Sequence, residues 1–276
     1  MNTTVTTKDY SNGNSPTWCP GCGDYAVLSG IKTALANLSV QPEDSVLVSG
    51  IGCSGKIGHY FGGYSIHTPH GRTLPTALGI KSSRPELTVL AAGGDGDGYG
   101  IGVGHLVHAA RRDLPITYIV MDNSVYGNTK GQTSPTSPLG YQSSTSPNGN
   151  TDQPINPLML AFSTGASFIG QGFSGDIKQL VNLIEKGIQH PGFSLINIFS
   201  PCVVFNKKQG YDYYRENIDV QDRPAKDAVE FVSMICQSSM PTGVLWEKKS
   251  ERHSIQHSNK TIKDVELTSF IKKNLA

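Results

Sequence analysis

The chain has 276 residues and a mass of 29.6 kDa, which fits one sizeable α/β domain without a second core. Its formal net charge of +1 and its pI of about 7.7 give no electrostatic reason to expect nucleic acid or an anionic membrane as a partner. No apolar run approaches the roughly 18 residues that span a bilayer. Residues 1–17 are polar and lack the apolar core of a secretory signal, so we expect a cytoplasmic protein.

Short apolar runs predict buried strands, and apolar residues three or four positions apart predict helices. The first strand is expected at Val46–Val48 and the second at Thr88–Ala92. A helical spacing over Ile101–Leu114 follows. After Pro115, the run Ile116–Met121 is again typical of a strand. This order predicts a βαβ unit with parallel strands.

The second half of the chain continues the alternation. Its pattern predicts a helix at Leu158–Thr164, a strand at Gly165–Ile169, a helix at Ile177–Gln189 and a strand at Leu195–Phe199. The apolar-periodic segment Ala228–Cys236 predicts another helix. We therefore expect an α/β fold with an open, mostly parallel sheet and helices on both faces.

Two segments differ in composition from the rest. Residues 131–157 are rich in Ser, Thr, Pro and Gly, and we interpret them as a loop whose first half is ordered at the active site or an interface and whose second half is mobile. Beyond Met240 the chain becomes polar. We expect one domain over residues 1–240 and a polar tail or partner-contacting extension over residues 241–276.

The sequence GDGDG, from Gly94 to Gly98, follows the second expected strand directly. The carboxylate of Asp95 and the side-chain amide oxygen of Asn123, after the next strand, are suitable ligands for a hard cation such as Mg²⁺. The glycines let backbone N–H groups approach phosphate oxygens. Both candidates lie past the carboxyl ends of strands, and the following helix N-terminus favours anions there. The pattern indicates a metal–diphosphate site.

Other interpretations of these glycine-rich segments are less favoured. No G-x-G-x-x-G register exists among the glycines from Gly93 to Gly104, so the dinucleotide fingerprint is absent. Asp95 could also cap the following helix without binding a metal. The segment Gly50–Lys56 matches most of a P-loop, but Ile57 stands where the magnesium-binding Ser or Thr belongs.

The chain contains five cysteines. Cys19 and Cys22 form a C-x-x-C pair, which is compatible with a redox dithiol, half a zinc site or half an iron–sulfur site; it lies in an N-terminal segment rather than opening a helix after a strand, which disfavours a thioredoxin-like site. Cys53 and Cys202 each follow an expected strand on the edge that carries the GDGDG segment. The four thiols are therefore candidates for a zinc or 4Fe-4S site, between which spacing does not decide. Cys236 is expected to pack inside a helix face.

Several sequence blocks together resemble the β subunit of the 2-oxoacid:ferredoxin oxidoreductases. They run in family order from Trp18 to Phe205 and read WCPGCG, GIGCSGK, HGRTLPTALG, GDGDGYGIGVGHLVHAARRD, DNSVYGNTKGQTSPTS and SPC. GDG followed by Asn123 resembles the thiamine diphosphate (ThDP) motif. The resemblance implies a ThDP-binding fold, with Mg²⁺ held by Asp95, Asn123 and the carbonyl of Val125. It also implies one 4Fe-4S cluster on Cys19, Cys22, Cys53 and Cys202.

The same resemblance gives the expected site residues. Those expected to bind cofactor are Cys53, Ser54, His70, Gly94, Asp95, Gly96, Asp97, Asn123, Val125, Tyr126, Gly127 and Thr129. The cationic candidates for binding the substrate carboxylate or stabilising developing charge are His70, Arg72, Lys56 and Lys130. Alternatively, His67 and His70 only hydrogen-bond a turn and Lys56 is solvated.

The implied reaction is the oxidative decarboxylation of a 2-oxoacid, pyruvate or 2-oxoglutarate, to acyl-CoA and CO₂. Electrons would pass singly through the cluster to ferredoxin, and the reaction would be reversible. The family places the glutamate that contacts the ThDP pyrimidine on a second domain, so we expect an α-type partner subunit. Two alternatives remain: an iron-free ThDP-dependent decarboxylase or synthase subunit, and a zinc-stabilised binding module.

Overall fold

The computed structural model describes residues 4–238 and 240–250. The strands are β1 Ser45–Ser49, β2 Tyr64–His67, β3 Thr88–Gly94, β4 Ile116–Asp122, β5 Val125–Tyr126, β6 Gln132–Thr133, β7 Phe168–Phe173, β8 Ser194–Phe199, β9 Asp219–Val220 and β10 Pro241–Glu247. The helices are α1 Asp24–Asn37, α2 Thr73–Ser83, α3 Val103–Arg112, α4 Pro157–Ser163, α5 Ile177–Gln189, α6 Tyr211–Asn217 and α7 Ala228–Gln237. Short 3₁₀ segments lie at Pro42–Asp44, Ser54–Tyr60, Gly127–Thr129 and Lys207–Gln209.

One eight-stranded sheet organises these elements in the order β2-β1-β3-β4-β8-β7-β10-β9. All neighbouring strands are parallel except β7 and β10, which pair antiparallel. The short strands β5 and β6 form a separate antiparallel pair. The expected open, mostly parallel sheet is therefore confirmed. Within the described residues, no helix is both long and apolar enough to cross a bilayer.

Alternation along β3 shows that the sheet is covered on both faces. Val89 and Ala91 pack into a core that includes side chains of α2, α3, α4 and α7. Leu90 and Ala92 pack on the opposite side, with side chains of α1 and α5. Because successive side chains of a strand point to opposite faces, a strand buried on both faces is a nearly continuous apolar run, as β3 and β4 are.

The structure corrects several expected boundaries. β10 belongs to the main sheet, so the domain boundary expected at residue 240 is too early; residues 251–276 of the expected tail lie outside the described part of the chain. The strand expected at 165–169 begins at Phe168, because Gly165 adopts a positive φ of 94° in the turn after α4. Cys236 is exposed rather than packed inside the helix face, although Ile235 beside it is buried.

The helix expected over Ile101–Leu114 also begins later than expected, because a separate turn precedes it. Gly96–Ile101 forms a wide π-type helical turn, and α3 begins only at Val103. Gly100 interrupts the helical geometry with a ψ of −108°. Buried Tyr99 anchors the turn by donating from its hydroxyl to Asn197 Oδ1 at 2.8 Å. The turn thereby holds the GDGDG segment against the sheet.

A buried polar network closes the opposite end of the domain. Ser167 Oγ lies 2.7 Å from His190 Nε2 and also donates to Asp113 Oδ1, which accepts from Phe193 N at 2.8 Å. The pair resembles a nucleophile and its base, but Ser167 is fully buried and its hydroxyl proton is committed to a carboxylate. The network is structural: it fixes Asp113, which ends α3 in the left-handed conformation.

This network predicts a pH dependence of stability. Burial lowers the pKa of His190, and the carboxylates of Asp113 and Glu247 offset part of that shift. Below the pKa of an unfolded histidine, about 6.5, the unfolded chain binds a proton that the folded chain resists, so the free energy of unfolding decreases as the pH falls. We expect the difference in unfolding free energy between wild type and His190→Gln to shrink from pH 8 to pH 5 in urea titrations.

The matched control is Gln189→Ala at the exposed end of α5, which changes no titratable group, so its difference from wild type is expected to stay constant over the same range. A wild-type advantage over His190→Gln that grew on acidification would contradict the assignment of a neutral buried imidazole.

Candidate active site

A cavity of about 140 Å³ opens at the edge where β1, β3 and β4 end. Every residue expected to bind cofactor lines it: Cys53, Ser54, His70, Gly94, Asp95, Gly96, Asp97, Asn123, Val125, Tyr126, Gly127 and Thr129. Sequence reasoning missed three further lining residues, Ile51, Gly52 and Asn128. The sequence blocks that are far apart along the chain therefore meet around one space.

Asp95 is buried at the base of this cavity beside a second carboxyl, Asp122. The hydroxyls of Ser134 and Thr136 donate to Asp95 Oδ2, and Thr136 Oγ1 also lies 2.8 Å from Asp122 Oδ1. Burial and the neighbouring Asp122 raise the pKa of Asp95, and burial raises the pKa of Asp122. Two buried carboxyls are costly without a compensating charge, and a divalent cation would supply it.

Asn123 lies at the turn that follows β4. Its Oδ1 accepts from Val125 N at 3.1 Å, and its backbone carbonyl accepts from Asn206 Nδ2 at 3.0 Å. Ser124, which lies between Asn123 and Val125, has a φ of 57°. The turn places an amide oxygen and the Val125 backbone on the same cavity as Asp95. Oxygen donors of this kind fit Mg²⁺.

Glycines bring backbone and side chains closer together at the cavity than any other residue would allow. A Cβ built on Gly96 would lie 2.1 Å from the ring of Tyr126, and one on Gly94 would lie 2.8 Å from Ser54 Oγ. The Tyr126 hydroxyl donates to Gly96 O at 3.2 Å. The walls are therefore backbone surface that a diphosphate can approach without meeting a Cβ.

The four expected cluster cysteines lie together beside the cavity. A Cβ on Gly127 would be 3.6 Å from Cys202 Sγ and 3.8 Å from Cys53 Sγ. Cys22 is close enough to both of these thiols, and Cys53 to Cys19, for each pair to interact electrostatically. Burial raises the pKa of Cys53 to about 11 and that of Cys22 still further.

Hydrogen bonds bring the N-terminal cysteine pair to the sheet edge. Trp18 Nε1 donates to Cys53 O at 2.6 Å, and Gly23 N donates to Pro201 O at 3.4 Å. A Cβ on Gly23 would lie 2.4 Å from Ser200 Oγ, so only glycine permits this approach. The pair is followed at once by α1, but no strand precedes it from residue 4 onward, where the described part of the chain begins. In the described part of the chain, no three His, Cys, Asp or Glu residues are arranged around a single metal ion.

The cationic candidates occupy different positions. His70 lines the cavity, whereas Arg72, Lys56 and Lys130 do not. Arg72 is exposed and acts electrostatically on His105 of α3. Lys56 is half-buried on the cysteine side, where its charge acts on Cys53. Lys130 is exposed in a left-handed turn with a φ of 77°.

Some residues of the site were not singled out from sequence. Ser134 and Thr136 hold Asp95, and the run of hydroxyl residues after KGQ was the signal that could have found them. Asp24 is buried beside the cysteines, where its Oδ1 accepts from Ser200 Oγ at 2.8 Å. Burial raises the pKa of Asp24 to about 6, and hydrogen bonds from Ser200 and the Cys22 thiol offset part of the shift.

Comparison with known proteins shows which family has this chain's sequence. Residues 50–198 match the family described as thiamine pyrophosphate enzyme, C-terminal TPP binding domain. The chain is 44% identical over 215 residues to the 2-oxoacid:ferredoxin oxidoreductase subunit beta of Saccharolobus solfataricus, covering 77% of this chain and 70% of that one. It is 37% identical to the 2-oxoglutarate synthase subunit KorB of Methanocaldococcus jannaschii, covering 78% and 76%.

A solved structure gives the same result. The 2-oxoglutarate:ferredoxin oxidoreductase from Magnetococcus marinus, with 2-oxoglutarate, coenzyme A and succinyl-CoA bound, is 36% identical, has a TM-score of 0.87, and matches 97% of this chain and 90% of that one. The chain belongs to the 2-oxoacid:ferredoxin oxidoreductase β subunits. The family expected from the sequence blocks is thus confirmed, as is a ThDP-binding domain within an oxidoreductase.

The glycine contacts of this β subunit predict a defect in cofactor binding. Gly96→Ala would force the Tyr126 ring out of place, because the new Cβ would lie 2.1 Å from it. We expect the affinity for ThDP with Mg²⁺ to fall by at least about tenfold, or about 1.4 kcal/mol, in a titration followed by intrinsic fluorescence.

Gly104→Ala on α3 is the matched control, because nothing lies within 4 Å of its added Cβ. Its ThDP affinity is expected to equal that of wild type. Equal affinities for the two variants would show that the cofactor does not meet the wall formed by Gly96 and Tyr126.

Proposed function

We propose that this chain is the ThDP- and cluster-binding half of an enzyme that oxidises a 2-oxoacid, pyruvate or 2-oxoglutarate, to acyl-CoA and CO₂. One observation supports this proposal above others: the cavity and the cysteine group share a wall. Cys53 lines the cavity, and Gly127 lies next to Asn123 Nδ2, Cys53 Sγ and Cys202 Sγ. In a two-electron oxidation that delivers its electrons one at a time, the cofactor that is oxidised must lie close to the one-electron carrier. A shared wall would provide that short path for the electrons. The electrons would go on to ferredoxin, and the reaction would be reversible.

The cavity residues have separate tasks in this proposal. Asp95, Asn123 and the Val125 carbonyl would hold Mg²⁺, and the Gly94–Gly98 backbone would contact the diphosphate. When bound, ThDP supplies an electron sink for the carbon that loses CO₂. His70 is the cavity-lining group suited to bind or relay a proton, while Lys56 and Lys130 remain candidates for the substrate carboxylate from outside the cavity wall.

The four cysteines suit a 4Fe-4S cluster. Their thiols are grouped at the sheet edge, and burial raises the pKa of Cys22 and Cys53, so bare thiolates would be unstable there. Iron would hold them as thiolates, which is the ligand state that a cluster requires. When bound, the cluster supplies a one-electron carrier next to the ThDP site.

The cavity also supports an α-type partner. Its volume of about 140 Å³ is below the roughly 300 Å³ at which ligand pockets usually begin. No glutamate is among the described residues that line it. The relatives are named as subunits. We propose that a partner closes the site and brings the carboxylate that contacts the ThDP pyrimidine, and that coenzyme A reaches the completed site.

Iron content tests the cluster. We expect about four irons and matching acid-labile sulfide per chain after anaerobic purification or reconstitution. Each of Cys19→Ser, Cys22→Ser, Cys53→Ser and Cys202→Ser is expected to lower both and to weaken the visible absorption, because one thiolate ligand is lost. Cys236→Ser, which changes an exposed cysteine outside the site, is the control and should keep full iron. Stoichiometric zinc with no iron after reconstitution would instead support a zinc-stabilised module.

Turnover tests the half-site. The chain alone is expected to show less than about 1% of the rate that it reaches with its α-type partner, measured as CoA-dependent reduction of a viologen dye by pyruvate or 2-oxoglutarate. The reason is that the isolated cavity encloses too little of the cofactor. Omitting CoA from the complete complex is the control. A full rate from the isolated chain would refute the half-site, and turnover of the complex without iron would favour the iron-free alternative.

A further inference from the structure

Asp97 is the second aspartate of the GDGDG segment. Its carboxylate makes more hydrogen bonds than that of Asp95, the proposed metal ligand. Its Oδ1 accepts from Ile51 N at 3.0 Å and from Gly71 N at 2.9 Å, and lies 2.7 Å from His70 Nδ1. Its Oδ2 accepts from Thr73 Oγ1 at 3.2 Å. The side chain is only 1% exposed. A buried carboxylate saturated by donors has little freedom to act as a metal ligand itself.

The donors come from separate loops. Ile51 belongs to the loop after β1, which carries Cys53, and His70 and Gly71 belong to the loop between β2 and α2. Asp97 follows β3. One carboxylate thus joins the cysteine loop, the histidine loop and the diphosphate turn. Hydrogen bonds to an ionised acceptor are stronger than those between neutral groups. The Asp97 carboxylate therefore holds these three segments firmly together.

The surrounding backbone packs closely against the Asp97 carboxylate. A Cβ built on Gly50 would lie 2.1 Å from Asp97 Oδ2, and one on Gly93 would lie 3.0 Å from the same atom. The carboxylate therefore sits in a space that two glycines create. Two backbone donors, Ile51 N and Gly71 N, hold Oδ1 in the position from which it contacts His70.

We propose that Asp97 is a positioning residue that holds His70 in the tautomer protonated at Nδ1. A carboxylate can only accept, so the hydrogen between Oδ1 and Nδ1 belongs to the imidazole. Nε2 is then the nitrogen left with a lone pair. Since His70 lines the cavity and keeps 39% of its side chain exposed, Nε2 is available as an acceptor for a proton or hydrogen bond of the bound cofactor or substrate.

Only one part of this inference rests on the proposed function: the identity of the molecule that contacts His70 Nε2. The tautomer is a property of the chain alone, and it is measurable without cofactor, cluster or partner. Asp97 itself touches none of the reacting atoms, since its carboxylate is enclosed by donors of this chain.

The test is a two-bond proton–nitrogen correlation spectrum of the full chain, labelled with ¹⁵N on its histidines, at pH 8. His70→Gln assigns the His70 signals. The wild type is expected to show His70 protonated at Nδ1, and Asp97→Ala is expected to move it to the Nε2-protonated form. Asp97→Asn keeps an Oδ1 acceptor and should retain the Nδ1–H form.

Thr73→Val is the control, because it removes only the donor to Oδ2 and leaves the Oδ1 contacts in place. It is expected to leave the His70 signals unchanged. Wild-type His70 protonated at Nε2, or an unchanged tautomer in folded Asp97→Ala, would overturn the inference. If Asp97→Ala does not fold, the wild-type and Asp97→Asn spectra still decide, since both must show Nδ1 protonated.

The active complex with the α-type partner supplies a second readout. Asp97→Ala is expected to lower kcat by about tenfold or more with a smaller change in KM. Combined with His70→Gln, it should add little further loss, because both changes remove the same oriented nitrogen. Fully additive losses would assign Asp97 a purely structural role. If the tautomer follows Asp97 but the wild-type complex does not oxidise 2-oxoacids, the proposed function fails while the tautomer assignment stands.

Discussion

Parallel pairing of β1, β3, β4 and β8 is the constraint on which the site depends. Parallel strands point the same way, so their carboxyl ends meet at one edge of the sheet. The loops that leave this edge carry Cys53, Asp95, Asn123 and Cys202. Residues that are up to 149 positions apart thereby share one small volume. Neither the cavity nor the cysteine group would exist if one of these strands ran antiparallel.

Buried acids and hydroxyls give that edge its rigidity. Asp97 joins loops on one side of the cavity, and Thr136 bridges Asp95 and Asp122 at its base. On the cysteine side, Asp24 links α1 to the turn after β8 through Ser200. Each of these carboxyls is buried, which is costly unless donors or a bound cation satisfy it, and Asp24 Oδ2 has no hydrogen-bond partner among the described residues. Of these acids, Asp95 and Asp122 lie where Mg²⁺ is proposed to bind.

Much of the fold was predictable from local patterns. The first and last residues of α5 are those expected from its apolar spacing. β3 and β4 begin where their apolar runs begin and end no more than two residues beyond them. β10 was missed although it contains the short apolar run Val244–Trp246, because polar residues follow that run and only the antiparallel pairing with β7 shows that it joins the sheet. The prediction that Cys236 is buried was wrong for a related reason. Helical periodicity indicates that a helix has an apolar face, but only the packing shows that Ile235, and not Cys236, lies on the buried side.

The sequence by itself indicated twelve of the fifteen residues that line the cavity, through the glycines, acids and amides at strand ends and the resemblance of the blocks that carry them. It also determined the family, since the blocks occur in a fixed order. Only the tertiary structure decided which side chains act on which. That Asp97 faces His70, that Thr136 reaches Asp95, and that Arg72 lies away from the cavity are outcomes of loop packing. Contacts between loops distant in sequence leave no periodic signal, so they emerge only when the sheet brings the loops together.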